Sequence, residues 1–241
     1  MVSQVSGQQN ERRRRRNQRG EGGRLRDELV EAARRLLSTA EQEADISIRA
    51  VTREAGAAPQ SFYLQFASLD ELLYAVYAAE YDGLRQAMTR AASQATSPQA
   101  RLVAVCTAYC QYAQAQPGRY RALTGVRGQP RHQEWDGRPL PGAPAFALIR
   151  DTVAEALASA GSSADPFLAA STLWAALHGL VTLRANRPAF PWPPLADMIA
   201  AIAGQTLHTP PAPAGRRNQR PSGHDHRKAT SRSPRPPASA G

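Results

Sequence analysis

The stretch TREAGAAPQSFYLQF, residues Thr52–Phe66, combines a corner of small residues, a proline, and closely spaced aromatic and polar side chains. Phe62 and Phe66 are four positions apart, a spacing that places both on one face of a helix. Gln60 and Gln65 lie close by and cannot share a buried face without hydrogen-bond partners. A wholly buried helix would exclude the glutamines, and an exposed loop would not need the phenylalanines. The stretch therefore predicts a short amphipathic helix whose polar face is kept for a partner.

Residues on both sides of this helix carry the signals that start and stop helices. Ser47 can cap a short helix before the corner, and Gly56 can end that helix because glycine readily adopts positive φ. Pro59 stands at a first helical position, where an amide has no partner in any case. Ser68 and Glu71 form the S-x-x-E capping box of a further, long helix. Two short helices joined by a tight turn form a helix-turn-helix.

In a DNA-binding helix-turn-helix, the outer face of the second helix lies in the major groove. Glutamine can pair with adenine and a serine hydroxyl adapts to several bases, so the polar face predicts base contacts. A tyrosine hydroxyl can reach a phosphate. The predicted DNA-contacting residues of the two helices are Arg49, Pro59, Gln60, Ser61, Tyr63 and Gln65. The pattern alone fits an ordinary helical hairpin with a solvated face equally well.

The rest of residues 24–208 shows the three- and four-residue spacing of apolar side chains that is typical of helices. Hydrophobic residues make up 42% of the 241 residues and aromatic ones 6%, which favours a helical protein over a β-rich one. Residues 125–144 hold four glycines and four prolines and are predicted to form a loop. We therefore predict an all-α protein with about nine helices, near 24–40, 47–56, 59–66, 68–93, 98–116, 120–124, 145–160, 166–185 and 195–207.

Positive charge is concentrated at the two ends of the chain. Residues 1–23 hold six arginines and two glutamates, giving +4, and residues 209–241 hold six arginines, one lysine and one aspartate, giving +6. Residues 24–208 carry 17 basic and 17 acidic groups and are neutral. Both ends are rich in Gly, Pro, Ser and Gln, so we predict disordered basic tails that attract a polyanion. The candidates for that contact are Arg12, Arg13, Arg14, Arg15 and Arg16. A role in solubility alone would also explain the run.

Other functional classes find little support in the sequence. No continuous apolar run reaches the ~18 residues of a membrane-spanning helix, so we predict a cytoplasmic protein without membrane contact. Cys106 and Cys110 fall on one helix face and are interpreted as reduced core residues, with a thiol sensor pair as the alternative. Metal-ligand spacings and glycine-rich phosphate loops are missing, and the HDH motif at 224–226 lies in a tail. We predict no enzymatic activity, no cofactor and no metal site.

Two motifs carry a resemblance to a known family. The stretch Leu25–Leu73 resembles the N-terminal DNA-binding domain of the tetracycline-repressor (TetR) family of transcriptional regulators, chiefly through IRAVTREAGAAPQSFYLQFASLDELL at residues 48–73. WAALHG, Trp174–Gly179, resembles the Trp-x-x-x-His-Gly signature of one C-terminal subgroup of that family. The resemblance implies a helix-turn-helix domain over residues 24–70 and an effector-binding and dimerisation domain over residues 71–208. Residues 1–23 and 209–241 would then be tails.

Three positions depart from the family pattern. Ala58 replaces the usual serine cap of the recognition helix, so a side-chain cap worth about 1 kcal/mol is missing. Gln60 replaces a frequent glycine and adds a potential base contact. Leu69 replaces a lysine that contacts phosphate in the family. At this position only the backbone amides of the helix start can still bind a phosphate. DNA affinity is therefore expected to depend more on the arginine arm.

The resemblance also implies a mechanism. The last two helices are apolar nearly all round, which favours a homodimer interface over a merely internal position. A twofold dimer suits a palindromic operator, and the family implies a repressor released by a small hydrophobic effector. The predicted effector pocket is lined by Tyr77, Tyr81, Met88, Cys106, Tyr109, Cys110, Phe146, Ile149, Trp174 and His178. Each of these is equally an ordinary core residue by type. The alternative function is a non-specific nucleic-acid-binding architectural protein that works through its basic tails.

Overall fold

The computed structural model describes residues 21–40, 45–124 and 138–208 of the chain. Within those ranges the chain forms nine α-helices and no strand, which confirms the predicted all-α fold. In chain order the helices are α1 (Glu21–Thr39), α2 (Ile48–Glu54), α3 (Pro59–Phe62), α4 (Leu69–Ala92), α5 (Pro98–Ala115), α6 (Pro117–Thr124), α7 (Ala143–Ser159), α8 (Pro166–Asn186) and α9 (Leu195–Leu207).

Side-chain caps account for several helix starts. The hydroxyls of Ser47, Ser68 and Ser97 each accept an amide hydrogen bond at 3.2 Å, and the carboxylate of Asp165 accepts one at 2.9 Å. These bonds satisfy amides that have no partner within the first helical turn. Helices α2 and α4 therefore begin at the predicted caps Ser47 and Ser68, and Ser97 and Asp165 cap α5 and α8 in the same way.

The capping box of α4 forms with a shifted second bond. The Ser68 hydroxyl accepts from the amide of Glu71, as the S-x-x-E pattern predicts. The Glu71 carboxylate accepts at 2.7 Å from the amide of Ala67, one residue before the usual partner. The chain that enters α4 is thus tied to the first turn of that helix.

Several helix bounds differ from those predicted, and the largest difference is at α3, which ends at Phe62 and not near residue 66. Helix α1 begins at Glu21, three residues before the expected start. Helix α5 ends at Ala115, just before Pro117, as predicted, but α6 begins at Pro117 and not at Tyr120, because proline is favoured where the first amide needs no partner. Helix α7 begins at Ala143, inside the stretch predicted to be a loop. Residues 125–137 of that stretch lie outside the described residues, as do the two predicted tails up to residue 20 and from residue 209.

Buried apolar side chains form two clusters. The N-terminal cluster gathers residues of α1, α2, α3 and the start of α4; its largest members are Leu29, Leu37, Phe62, Phe66, Leu72 and Leu73. The C-terminal cluster gathers residues from the second half of α4 to α9, among them Leu84, Met88, Leu102, Tyr109, Leu157, Leu173 and Leu177. Helix α4 contributes to both and joins them as one continuous rod. The domain limits at residues 23, 70 and 208 stay predictions.

Helix α8 has an unusual distribution of apolar residues. Its inner side packs in the C-terminal cluster, whereas Phe167, Trp174 and Leu183 are 60%, 43% and 53% exposed. By length and composition alone this helix could cross a membrane, with a third of its most apolar window buried. The sequence analysis, which considers only uninterrupted apolar runs, did not single it out. A core helix of a globular protein passes the same test.

Candidate nucleic-acid interface and ligand groove

The turn between α2 and α3 depends on one glycine. Gly56 has φ of +64°, a left-handed conformation that side chains disfavour. A Cβ there would meet nothing within 4 Å, so conformation alone explains the glycine. The amide of Ala57 then donates to the carbonyl of Thr52 at 2.8 Å and closes the turn. The sequence-based stop at Gly56 is confirmed.

Two buried aromatic rings anchor α3, Phe62 at its last position and Phe66 four residues further along the chain. Phe62 and Phe66 are 0% and 1% exposed, with ring centroids 5.8 Å apart, as their spacing predicts. The guanidinium of Arg26 on α1 lies 4.3 Å from the Phe66 ring centroid, a cation–π contact. Helix α3 has only four residues and no side-chain cap at Ala58, so this packing holds it in place.

The predicted DNA-contacting side chains lie on the outer part of the same corner. Three of them are exposed: Arg49 on α2, and Pro59 and Gln60 on α3. Two are half-buried: Ser61 and Gln65. Tyr63 is 63% exposed, and its ring meets the edge of Phe62 at 5.5 Å, which fixes its direction. The corner thus separates a buried aromatic face from an exposed polar one. The run Arg12–Arg16 lies outside the described residues.

The corner also exposes a residue that the sequence analysis missed. Leu64 is 77% exposed, the highest value among the large apolar side chains that the structure describes. It lies midway between the two anchoring phenylalanines, about 200° around a helix from each. That spacing alone would have identified it as an outward-facing apolar residue beside the polar set.

The side chain of Leu69, at the start of α4, is part of the protein core. It is 8% exposed and belongs to the N-terminal cluster. A leucine at this first helical position therefore adds to the core that supports α3. The residue that precedes it, Ser68, uses its hydroxyl as a cap.

The ten residues of the predicted effector pocket lie in different parts of the structure, and the pocket stays a prediction. Five of them fill the interior of the C-terminal cluster with 0–3% exposure: Met88, Cys106, Tyr109, Cys110 and Ile149. Tyr81 and Phe146 pack against that cluster from outside, and Tyr77 packs against the N-terminal cluster instead. Trp174 is 43% exposed, and its ring centroid lies 6.0 Å from that of Phe146. Only His178 borders the groove described below.

The two cysteines are buried, free thiols. Burial raises the pKa of Cys106 to about 12 and that of Cys110 to about 11. Both thiols therefore stay protonated at neutral pH, and a protonated thiol is a poor nucleophile. Their environment agrees with the interpretation as core residues and disfavours a thiol sensor.

A groove of about 1360 Å³ lies where the ends of several helices meet. Its walls come from the end of α1, the end of α5, most of α6 and the last two turns of α8. The chemically distinctive residues along it are Ser38, Tyr120, Arg121, His178, Arg184 and Trp192. The groove therefore touches both the N-terminal helix α1 and the helices of the C-terminal cluster.

A chain of hydrogen bonds leads from the C-terminal cluster to this groove. The hydroxyls of Tyr109 and Tyr120 are 2.9 Å apart, and the Tyr120 hydroxyl lies 2.7 Å from Nδ1 of His178. Burial raises the pKa of both tyrosines, that of Tyr109 to about 12, and lowers the pKa of His178. All three groups are therefore neutral at neutral pH. His178 is therefore a hydrogen-bonded residue at the edge of the C-terminal cluster. This position agrees with its interpretation as an ordinary core residue.

A buried carboxylate connects α1, α4 and α6. Glu80 on α4 is 3% exposed, and its Oε1 lies 2.9 Å from Nε of Arg34 on α1. Its Oε2 lies 3.9 Å from Nε of Arg119 on α6 and 3.5 Å from the Tyr112 hydroxyl. Burial raises the pKa of Glu80, and the two arginines lower it. The sequence analysis missed this group, although Val76, Glu80 and Leu84 lie four residues apart on one face of α4.

The fold and the corner can now be compared with known proteins. Residues 102–207 match the family described as tetracyclin repressor-like, C-terminal domain. The match covers α5 to α9 together with the WAALHG motif. It supports the family resemblance for the C-terminal part of the chain, while the Trp-x-x-x-His-Gly subgroup stays a prediction.

Solved structures extend the likeness to the N-terminal helices. A protein of unknown function from Rhodococcus sp. RHA1 is 24% identical, with a TM-score of 0.61 over 76% of this chain and 94% of that one. A TetR family transcription regulator from Marinobacter aquaeolei VT8 is 17% identical, with a TM-score of 0.59 over 76% and 94%. FadR from Bacillus subtilis, solved in complex with stearoyl-CoA, is 12% identical, with a TM-score of 0.58 over 75% and 95%. At these identities the comparisons show a shared fold.

Proposed function

We propose that this chain is a TetR-family transcription regulator that binds DNA in a sequence-specific manner in the cytoplasm. The observation that carries the proposal is the α2–α3 corner, in which a left-handed Gly56 and two buried phenylalanines present an exposed polar face. A polar outer face is what a recognition helix needs in the major groove. The match of residues 102–207 to the tetracyclin repressor-like C-terminal domain supports the same assignment.

The proposed role of each residue in DNA binding follows from the chemistry of its side chain. Gln60, Ser61 and Gln65 read base edges, and Tyr63 and Arg49 contact phosphates. The arginines of the N-terminal arm add a salt-dependent attraction that does not depend on sequence. Binding would thus combine a specific contact at the corner with a non-specific one from the arm.

The glutamines and the tyrosine are expected to give different results when replaced. Gln60→Ala and Gln65→Ala should each relax the preference at one or two base positions by about 1–3 kcal/mol, since a bidentate contact is lost. Tyr63→Phe should weaken all DNA sequences alike, because a phosphate contact carries no sequence information. Binding measured on a set of single-base variants of the preferred site separates the two effects. Unchanged preferences in both glutamine variants would contradict the assigned reading face.

Leu64 is proposed as an additional reader of the DNA sequence. An exposed aliphatic side chain beside the polar set can contact the methyl group of thymine. Leu64→Ala should therefore reduce the preference for a T·A pair at one half-site position by about 1 kcal/mol. Leu140→Ala is the matched control, because Leu140 is 64% exposed but lies far along the chain, before α7. An equal response of both variants would remove Leu64 from the reading face.

The proposed functional unit is a homodimer built on α8 and α9. Helices α8 and α9 pack against each other, α8 exposes Phe167, Trp174 and Leu183, and a Cβ added at Gly179 or Gly204 would meet nothing within 4 Å. No helix of the described residues therefore packs closely against Gly179. The space in front of it is open to a second chain. Two copies related by a twofold axis would present two recognition helices to a palindromic operator.

We further propose that the regulator responds to a small molecule and acts as a repressor. The solved complex of Bacillus subtilis FadR with stearoyl-CoA is a neighbour in fold that holds a ligand. Here α4 joins the two clusters, and the Glu80 group ties α1 and α6 to it. A ligand in the C-terminal part that displaces α4 or α6 would change the separation of the two DNA-binding corners. Affinity would then fall, because the half-sites are about one turn, ~34 Å, apart.

A further inference from the structure

The groove at the ends of α1, α5, α6 and α8 has a strongly one-sided charge. Among the described residues that line it are two arginines, Arg121 and Arg184, and one histidine, but no aspartate or glutamate. The remaining polar lining consists of neutral hydroxyl and amide groups, including those of Ser38, Gln114 and Thr182. A lining with cations and donors and without carboxylates favours an anion.

The two arginines are available to a ligand. Within the described residues neither forms an ion pair with a carboxylate. Arg184 donates to the carbonyl of Pro193 at 2.9 Å and lies 5.7 Å from the Trp192 ring, contacts that fix its direction and leave its charge uncompensated. A guanidinium has five donors in a planar fork, so one carbonyl partner leaves most of them free.

The hydrogen-bond chain at the groove wall supplies a further donor. The Tyr109 hydroxyl can donate to Tyr120, and the Tyr120 hydroxyl to Nδ1 of His178. In that arrangement Nε2 of the neutral imidazole carries the proton and can donate in turn. This series of hydrogen bonds thus leaves Nε2 of His178 as a donor, which favours a ligand with an acceptor atom beside it.

We infer that this groove binds a small organic anion, one with a carboxylate or phosphate group for Arg121 and Arg184 and an apolar part for Val181 and Trp192. The inference rests on the proposed regulator and names the chemical class of its effector. It moves the effector site away from the packed tyrosines and cysteines of the C-terminal cluster. Because Ser38 and Thr39 of α1 form one wall, a bound anion contacts the helix that supports the DNA-binding corner.

The test compares anionic and neutral forms of one ring system by isothermal titration calorimetry. The probes are 1-naphthyl phosphate, 1-naphthoate and the uncharged 1-naphthol. We expect at least one anion to bind and 1-naphthol to bind about tenfold more weakly, the effect of losing a charge-assisted hydrogen bond. The stronger of the two anions identifies the group that the arginines prefer. Equal binding of 1-naphthol, or no binding of either anion, would overturn the inference.

Matched variants locate the binding. Arg121→Gln and Arg184→Gln should each weaken the anion about tenfold and leave 1-naphthol unchanged. Arg150→Gln is the control, since Arg150 is exposed on α7, pairs with Asp151 at 2.7 Å and does not line the groove. Thermal melting verifies that each variant folds. An equal loss in the Arg150→Gln variant would assign the effect to general charge and contradict the groove.

DNA binding separates this inference from the function on which it rests. If the anion binds but leaves DNA affinity unchanged, the groove is not an effector site. If no sequence preference on DNA exists at all, the proposed regulator fails, while the arginine-dependent binding of the anion stands by itself. A fall in DNA affinity that Arg121→Gln abolishes supports both.

Discussion

Replacing Arg34 by methionine is expected to lower the free energy of unfolding by about 3 kcal/mol at neutral pH. Arg34 holds the strongest ion pair of Glu80, at 2.9 Å, and the Glu80 side chain is almost completely buried. Removing one partner of a buried pair leaves an uncompensated charge, which costs about 3–5 kcal/mol. Arg119, at 3.9 Å, compensates part of that loss, so we expect the lower end of the range. Urea denaturation measures the effect.

The same variant should show a characteristic dependence on pH. Arg34 lowers the pKa of Glu80, so its removal raises that pKa further above the usual value of about 4.3. A carboxyl group with a raised pKa in the folded state stabilises the fold below its unfolded pKa and loses this contribution as pH rises through the folded pKa. The deficit of the variant relative to wild type should therefore shrink on acidification. A deficit independent of pH would contradict this explanation.

Two further variants isolate the ion pair. Adding Glu80→Gln to Arg34→Met removes the buried charge and should restore most of the lost stability. Arg24→Met removes an exposed pair with Glu28, at 3.1 Å, whose two side chains are 77% and 45% exposed. That control should cost less than about 1 kcal/mol. If Arg24→Met lowered the free energy of unfolding as much as Arg34→Met, the effect would not be specific to the buried ion pair.

Placing a charge on the outer side of α8 or α9 is expected to abolish the proposed homodimer. Leu183 is 53% exposed and Ala200 is exposed, so Leu183→Glu and Ala200→Glu leave the core of the single chain intact. At a twofold interface each substitution introduces two unpaired buried charges. Analytical ultracentrifugation should then give the mass of one 26.0 kDa chain, and operator binding should fall with it.

The choice of these positions depends on the structure. Leu180 and Ile199 belong to the same two helices, and the sequence offers them equally as interface residues. They are 5% and 1% exposed within one chain, so a charge there would unfold the protein and would not test the dimer. Leu140→Glu, at a position 64% exposed and outside α8 and α9, is the matched control and should stay dimeric. Dimers in both Leu183→Glu and Ala200→Glu would exclude these helices as the interface.

The sequence predicts those parts of the fold that local rules govern. Ser47 and Ser68 are caps, Gly56 is a left-handed stop, and the spacing of Phe62 and Phe66 identifies the two buried rings of the corner. Each of these depends on residues within one turn of the chain. The predicted end of α5 before Pro117 is confirmed, but the start of α6 at Pro117 was missed, because proline both ends one helix and is favoured at the first position of the next.

The groove and the buried charge could not be predicted in the same way. Tyr77, Met88 and Cys106 are apolar helix residues, and the sequence does not indicate which of them fill the core and which border a cavity. The groove brings together Ser38, Arg121 and Arg184 from three helices, an arrangement that only tertiary packing creates. Glu80 falls on the buried stripe of α4, but its partner Arg34 lies 46 residues earlier in the chain, so the pair cannot be identified from local spacing.

The most direct test of the central claim is selection of binding sites from random double-stranded DNA. We expect enrichment of an inverted repeat whose half-sites lie about one helical turn apart, because two recognition corners meet the same face of the duplex. Gln60→Ala should select a repeat altered at one position of each half-site. Uniform binding without an enriched repeat would contradict the regulator and favour a non-specific architectural protein that holds DNA through its basic ends.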